Sequence, residues 1–387
     1  MDYSLTDNQK QLIQGIEGYC AEYFDKDAVA EMYRTAHIPD EATKAWVDAE
    51  YGLLGLPEKY GGAGADRLTV GLSIEAACRY SGATLPFINN AMDLFYLSQF
   101  GTDDQVCRAV EAYRETGNTP FALGISEPQA GSDTMNMSTY STRQPDGSYL
   151  LNGTKTYLAL GTVSPAMLIL AKDEDPAREN SNISMWLVPR DSSGVLLKPM
   201  RKMGQQIIPT SLCTLTDVRV TEADRLGEAG GGFLNLMKGL ETERCFAACV
   251  GLGLSQAAMD DAARYASEHI CFGKPIGNYQ LIQEKLCDME TKIQASRNWV
   301  YRTLWDLDNG ISVRTSSALM KRFVARSAFE VADDAMQILG GPGYTEDTRV
   351  GRIWADTRGN RFGAGTDEIM VHIAGRQLVK QYKRQEV

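Results

Sequence analysis

The residues able to do chemistry fall in four short stretches. The first is Ser126-Glu127-Pro128-Gln129-Ala130-Gly131-Ser132-Asp133, directly after the apolar run 121–125. It is rich in backbone N–H groups, small side chains and hydroxyls, so it can approach a ring system or a phosphate closely. A plain strand-to-turn connection accounts for the same composition. The second is Glu241-Thr242-Glu243-Arg244, ahead of the apolar helical run 245–252. Residues two apart on a helix face nearly opposite ways, so one Glu can point inward while the other is solvated. Apolar neighbours raise an inward carboxylate's proton affinity, which suits a general base. A partnered surface Glu is the other reading. The third is Gly365-Thr366-Asp367-Glu368. The N–H groups of a helix start there can hold a phosphate, or Thr366 can simply cap the helix. The fourth is Gly340-Gly341-Pro342-Gly343. It invites a nucleotide-loop reading but does not match G-x-G-x-x-G between a strand and a helix. Gly340 follows a helical run and reads as its C-cap. No G-x-x-x-x-G-K-[ST] occurs, which excludes a P-loop NTPase.

Three zones of different texture must position these stretches. Residues 1–120 read as an N-terminal helical domain. Asp7 can cap a helix carrying Leu12, Ile13, Ile16 and Tyr19, and further helices are expected at 42–51, 68–80 and 91–99. Residues 121–231 carry short extended runs at 148–158, 167–171, 183–188, 194–197 and 212–220, separated by Asp, Ser, Gly or Pro clusters. Short strands with turns between them predict an antiparallel β-barrel or sandwich, and the absence of helices between them argues against a parallel βαβ sheet. Residues 232–387 turn helical again, with long segments at 233–271, 279–307 and 313–339 and a last helix at about 366–382. Such segments with short connections predict a four-helix bundle. The fold class is therefore α+β and multidomain, in the order α, β, α.

Lys plus Arg total 39 and Asp plus Glu total 50, giving a net charge of −11. That disfavours sequence-independent nucleic-acid binding, and any polyanionic ligand must be met by local donors against the global field. No run of 18 apolar residues exists, so no membrane span is expected. Met1 leads straight into polar Asp2-Tyr3-Ser4, so no signal peptide is expected. The eight cysteines form no C-x-x-C pair and there are three histidines, which argues against a structural zinc site. Scattered thiols of this kind suit a reduced, cytoplasmic compartment. Cys245 and Cys249, one helical turn apart among apolar residues, read as small buried hydrophobes.

The whole chain resembles the acyl-CoA dehydrogenase family. Leu5-Thr6-Asp7-Asn8-Gln9 is similar to that family's opening, as is Leu56-Pro57-Glu58-Lys59-Tyr60-Gly61-Gly62. The stretch 126–133 resembles its T-E-P-x-A-G-S-D signature, and Cys271-Phe272-Gly273-Lys274 followed by Gln280 resembles its F-G-K…Q element. Gln337-Ile338-Leu339-Gly340-Gly341-Pro342-Gly343-Tyr344 and Gly365-Thr366-Asp367-Glu368-Ile369 resemble two more. Within the family the chain looks closest to the branch of crotonobetainyl-CoA reductase and its bacterial relatives.

The resemblance implies an N-terminal helical domain, a central β-barrel and a C-terminal four-helix bundle, assembled as a homotetramer or dimer, with FAD as cofactor. It implies that Leu123, Ile125, Ser126 and Ser132 line the flavin, with Ser132 also at the substrate, and that Tyr157, Leu158 and Ala159 pack on the flavin's other side. It implies that His269, Phe272, Gln280, Gln337, Gly340 and Gly341 reach a neighbouring subunit's FAD, and that Thr366 and Glu368 hold the dinucleotide at the last helix.

Three departures stand out. The family's arginine three residues before F-G is His269 here, and a threonine beside the flavin is Ala159. Most relatives place the catalytic glutamate just before G-T-x-E, where this chain has Ala364. A minority place it immediately before the arginine of the first bundle helix, and that position is Glu243, followed by Arg244. The implied chemistry is α-proton abstraction from an acyl-CoA thioester by Glu243 with β-hydride transfer to flavin, or enoyl-CoA reduction in reverse. Arg244 would meet the substrate's negative charge, and electron-transfer flavoprotein would be the redox partner. An oxidase or a non-catalytic CoA- or FAD-binding relative is the alternative.

Overall fold

The structure is a computed structural model and describes residues 4–174 and 183–383. The polar opening at residues 1–3 lies outside the described residues. Six helices come first: α1 Asp7–Tyr23, α2 Lys26–Thr35, α3 Asp40–Asp48, α4 Arg67–Ser81, α5 Phe87–Phe100 and α6 Asp103–Thr116. The residue capping α1 is Thr6, not Asp7. Its Oγ1 accepts the Gln9 N–H at 3.2 Å while Gln9 Oε1 accepts the Thr6 N–H at 3.0 Å, a reciprocal cap that leaves Asp7 in the first turn. Thr102 and Gln105 open α6 in the same way. Helices α2 and α6 were absent from the sequence-based expectation. Their buried stripes are narrow (Val29 and Met32; Val106, Val110 and Tyr113), and the charged residues between them dilute the apolar period.

Strands follow: β1 Phe121–Gly124, β2 Tyr140–Arg143, β3 Tyr149–Ala159, β4 Ala166–Glu174, β5 Ile183–Pro189, β6 Val195–Met200, β7 Thr210–Val220 and β8 Arg225–Leu226. They form one sheet in the order β6-β7-β3-β2-β4-β5-β8, with β1 also on β4. The sheet is mixed rather than wholly antiparallel, because β1 and β2 both run parallel to β4. Their registers explain this. Gly124 pairs with Ile169, and Tyr140 pairs with Lys172 on the same edge of β4. The two strands are thus nearly one line of chain, interrupted by the excursion 125–139. Turn signals mark hairpins between neighbours, but they carry no sign of a strand that leaves an edge and returns to it.

The chain then enters α7 Gly232–Glu268, the short hairpin β9 Ile270–Cys271 and β10 Lys274–Pro275, α8 Gln280–Asp308, α9 Arg314–Leu339, α10 Val350–Gly359 and α11 Asp367–Lys383. Helix α7 ends three residues short of the expected 271. His269 turns extended, and Phe272 and Gly273 adopt φ of 51° and 82° to make the hairpin turn. One apolar cluster joins Ile74, Leu94, Phe121, Leu168, Leu236, Cys245, Val300 and Val324, so the helical and sheet zones share a core around α7. Cys245 and Cys249 are fully buried in it, as small hydrophobes. No helix among the described residues is long and apolar enough to cross a membrane.

Close approach to α7 depends on its glycines. A Cβ at Gly239 would collide with the ring of fully buried Tyr96. The Gly239→Ala variant is therefore expected to lose about 1–3 kcal/mol in denaturant unfolding, the usual cost of overpacking. An unchanged midpoint would show that Tyr96 has room to yield.

Candidate functional site

The excursion 125–139 is held from beneath by a buried ion pair. Glu127 and Lys155 have fully buried side chains and meet at 2.8 Å. Glu127 also accepts the Ser138 N–H at 2.6 Å, the Ser138 hydroxyl at 2.8 Å, the Thr139 N–H at 2.9 Å and the Gln129 amide at 2.7 Å. Burial alone would raise its proton affinity. Donation from Lys155, Thr139 and Ser138 outweighs burial and holds the carboxyl well below the usual range. Lys155 also donates to the Ile125 carbonyl at 3.2 Å. One lysine on β3 thus ties both ends of the excursion to the sheet.

The Thr156 N–H donates to the Ser126 carbonyl at 2.8 Å, which brings the start of the excursion against the end of β3. There β3 shifts register between Lys155 and Leu158. Tyr157 takes a φ of 59° and stands 67% exposed, while the Leu158 side chain is fully buried in the sheet core. Leu158 therefore has only its backbone to offer a ligand. Leu123, Ile125, Ser126 and Ala159 are half-buried, and Ser132 is exposed on the excursion. These residues lie together; the rest of the expected cofactor set lies elsewhere.

Phe272 is 98% exposed at the tip of the hairpin, and Gln280 is exposed at the start of α8. His269 is exposed and stacks on Tyr265 with centroids 4.7 Å apart. Gln337 is exposed near the end of α9, where the Gly340 N–H donates to the Met336 carbonyl at 3.0 Å as the helix cap. Open space surrounds the place a Cβ would take at Gly340 and at Gly341. At the start of α11, Thr366 Oγ1 accepts the Ile369 N–H at 3.2 Å, and Glu368 is exposed in the first turn. Asp367 is buried and accepts from Arg326 at 2.9 Å and Arg361 at 2.8 Å. Uncovered aromatic faces at Tyr157 and Phe272 and side-chain-free backbone at Gly340 and Gly341 fit a flat, phosphate-linked dinucleotide such as FAD.

The candidate base sits apart, in the helical core. Glu243 Oε2 on α7 is buried and has no hydrogen-bond partner. Burial raises its proton affinity above the ordinary carboxylate range, and the positive charges of Arg244 and Lys321 oppose that rise. Arg244 is 5% exposed and its Nε is also buried without a partner. Burial lowers its pKa, with Glu243 and Glu241 working the other way. Glu241 is half-buried rather than fully solvated, and Arg244 and Arg314 act on it.

Sequence reasoning missed three members of this cluster. Asp93 on α5 is 4% exposed, and its carboxylate accepts the Phe121 N–H at 3.1 Å where β1 begins. Burial pushes its proton affinity well up, and Glu243 adds to that. Tyr96, one turn along, is fully buried and feels Glu243, Asp93 and Arg244. Lys321 on α9 is 1% exposed and donates to the Gly365 carbonyl at 2.6 Å. A usable signal existed: Lys321 is in helical phase with Ser317, Val324 and Ala328, all buried, and a lysine on a core face is seldom accidental.

A cavity of about 370 Å³ opens between α4, α5 and α7, lined by Ile74, Leu94, Phe95, Thr242 and Phe246 among others. Its wall is the face of α7 beside Glu243, not Glu243 itself. Glu243 is half-buried overall, and its buried, unpartnered Oε2, rather than this cavity, marks the candidate base.

The chain is similar to known proteins over nearly its whole length. The chain matches three successive domain families: acyl-CoA dehydrogenase N-terminal domain over residues 6–113, middle domain over 122–218 and C-terminal domain over 230–379. It is 40% identical to the probable acyl-CoA dehydrogenase YdiO of Escherichia coli over 383 residues, covering 99% of this chain and 100% of that protein. The structure is similar to that of an acyl-CoA dehydrogenase from Slackia heliotrinireducens, with a TM-score of 0.88, 36% identity and 99% of both chains covered. It is also similar to butyryl-CoA dehydrogenase from Megasphaera elsdenii, with a TM-score of 0.90 and 29% identity over 98% of this chain and 100% of that one.

Proposed function

The chain belongs to the acyl-CoA dehydrogenase family, whose members are FAD-dependent oxidoreductases, and from that premise we propose that Glu243 is the base that takes the α-proton of an acyl-CoA thioester. The observation that carries this is the unpartnered, buried Oε2 of Glu243 in a chain with Ala364 before Gly365.

The α C–H bond breaks, its electron pair stays on the α-carbon conjugated with the thioester carbonyl, and the proton passes to a Glu243 oxygen. A carboxylate desolvated by its neighbours binds that proton more tightly than one in water, which lowers the barrier to abstraction. Bound FAD supplies the acceptor for the hydride leaving the β-carbon, or the donor for the reverse reduction of an enoyl-CoA. In the reverse direction, protonated Glu243 returns the proton to the α-carbon. Arg244 meets negative charge on the substrate, and its own charge opposes the rise that burial gives Glu243.

For the cofactor, Leu123, Ile125, Ser126, Ser132 and the backbone of 157–159 would hold the flavin, and Thr366 and Glu368 the dinucleotide at α11. His269, Phe272, Gln280, Gln337, Gly340 and Gly341 would serve a neighbouring subunit's cofactor in a homotetramer, which accounts for their exposure in a single chain. Electrons would be exchanged with an electron-transfer flavoprotein, in a reduced cytoplasmic setting.

The test is a panel of saturated acyl-CoA thioesters mixed anaerobically with FAD-loaded protein. At least one member is expected to bleach the flavin's visible absorbance, and the matching enoyl-CoA to restore it. Bound FAD that no acyl-CoA bleaches, and whose reduced form no enoyl-CoA reoxidises, would overturn this reading.

A further inference from the structure

Lys321 is a fully buried ammonium that donates to a backbone carbonyl rather than to a carboxylate. The carbonyl belongs to Gly365, next to Ala364, which holds a left-handed φ of 53°. Helices α7 and α9 pack against each other, Gly251 beside Val324 and Ala328, and Lys321 and Glu243 act on each other electrostatically. One residue of α9 therefore touches the 364–366 turn and addresses the α7 carboxylate. We propose that Lys321 is a positioning residue, which fixes the turn before α11 and supplies the positive charge against which Glu243 stands ionised. The inference rests on Glu243 being the base.

The charged and titratable groups around it make the sign definite. From α5 come Asp93 and Tyr96, from α7 Glu241 and Arg244, from α9 Arg314, from the turn before α11 Arg361, and from α11 Asp367. Asp367 is already engaged by Arg326 and Arg361. Burial favours the protonated form of Glu243. Against it stand two cations, Arg244 and Lys321. Burial pushes the Lys321 ammonium down to about 8, with Asp367 and Glu243 holding it up and Arg244 and Arg361 adding to the fall. It is therefore charged across the neutral range, where Glu243 must be ionised to act.

An opposite charge close by shifts a carboxyl by about 1–3 pH units, so removing this one should be visible. The experiment is the pH profile of the first-order flavin bleaching by a responsive acyl-CoA, with FAD content measured on each variant. The acid limb is expected to move up by about 1 pH unit or more in Lys321→Met. Lys321→Gln retains a donor for Gly365 without the charge and is expected to shift alike. Lys321→Arg keeps a charge and is expected to leave the limb at or below its wild-type position. Well above the displaced limb the neutral variants should approach the wild-type rate. A merely structural lysine gives uniform losses of rate or FAD with no displaced limb. Limbs of Met and Gln variants that superpose on wild type, or an upward shift in Lys321→Arg, would overturn the proposal. Failure of the underlying reading looks different: Glu243→Gln would then remain active, whatever Lys321 does.

Discussion

Glu243→Gln is expected to cut acyl-CoA turnover by about 10²- to 10⁴-fold, the usual worth of a positioned general base, with FAD still bound. Gln keeps the shape of the side chain and cannot accept the α-proton. The loss should fall on the chemical step rather than on substrate binding, because nothing else in the cluster changes size. Two other carboxylates are available and neither fits as well. Glu368 is exposed in the first turn of α11. Glu241 is half-buried, as Glu243 is overall, but among the described residues only Glu243 of the two has a buried oxygen without a partner. In wild type the burial of Glu243 places the acid limb of the rate above that of an ordinary carboxylate, so activity is lost as pH falls through that raised value. A companion variant moves the carboxylate. Glu243→Gly with Ala364→Glu restores one from the turn that Lys321 holds. Ala364 already carries a Cβ at a left-handed φ, so the exchange adds no new kind of backbone strain. Partial recovery is expected. A nearly fully active Glu243→Gln would send the search to Glu368 and Glu241.

The second large effect belongs to the ion pair under the excursion. Lys155→Met leaves Glu127 buried among donors that no longer balance its charge, and breaking a buried pair from one side costs about 3–5 kcal/mol. Denaturant unfolding should show a loss of that size, and FAD should leak from the variant because Lys155 anchors both Glu127 and the Ile125 carbonyl. The double variant Glu127→Gln with Lys155→Met removes both charges and should recover part of the stability. Wild-type stability from Glu127 has a defined direction with pH. Its carboxyl is held below the ordinary range, so the contribution is present above the unfolded-state pKa and is lost as pH falls through the folded one. A Lys155→Met protein as stable as wild type, with FAD retained, would mean that the excursion stands without its pair.

What could be read in the sequence was what lies close together along the chain. The excursion 126–133, the Thr366 cap, the Gly340 cap and the long helical runs are local patterns, and the structure carries them within a few residues of the expected bounds. The third helix was expected at 42–51 and runs Asp40–Asp48, ending where Glu50 turns left-handed. What could not be read were pairings across the chain. Glu127 meets Lys155 28 residues on, Asp93 meets Phe121 at the same separation, and Lys321 meets Gly365 44 residues away. No periodicity encodes such meetings; they exist only once α5, β1, β3, α7 and α9 are packed. The parallel placement of β1 and β2 on β4 was hidden for the same reason. The choice of Glu243 over Glu241 came from resemblance, and the burial of one Oε2 without a partner is the physical observation that now supports it.

The most direct measurement is hydrogen exchange at the α-carbon. FAD-loaded protein is incubated in D₂O with a saturated acyl-CoA that bleaches it, and deuterium entering the α position is followed by mass spectrometry, beside the Glu243→Gln variant. Proton abstraction and return need the base but no external electron acceptor, so the readout isolates Glu243 from electron transfer. The account predicts wash-in by the wild type and a loss of about 10²-fold or more in Glu243→Gln at equal FAD content. Equal wash-in by the two proteins would contradict it.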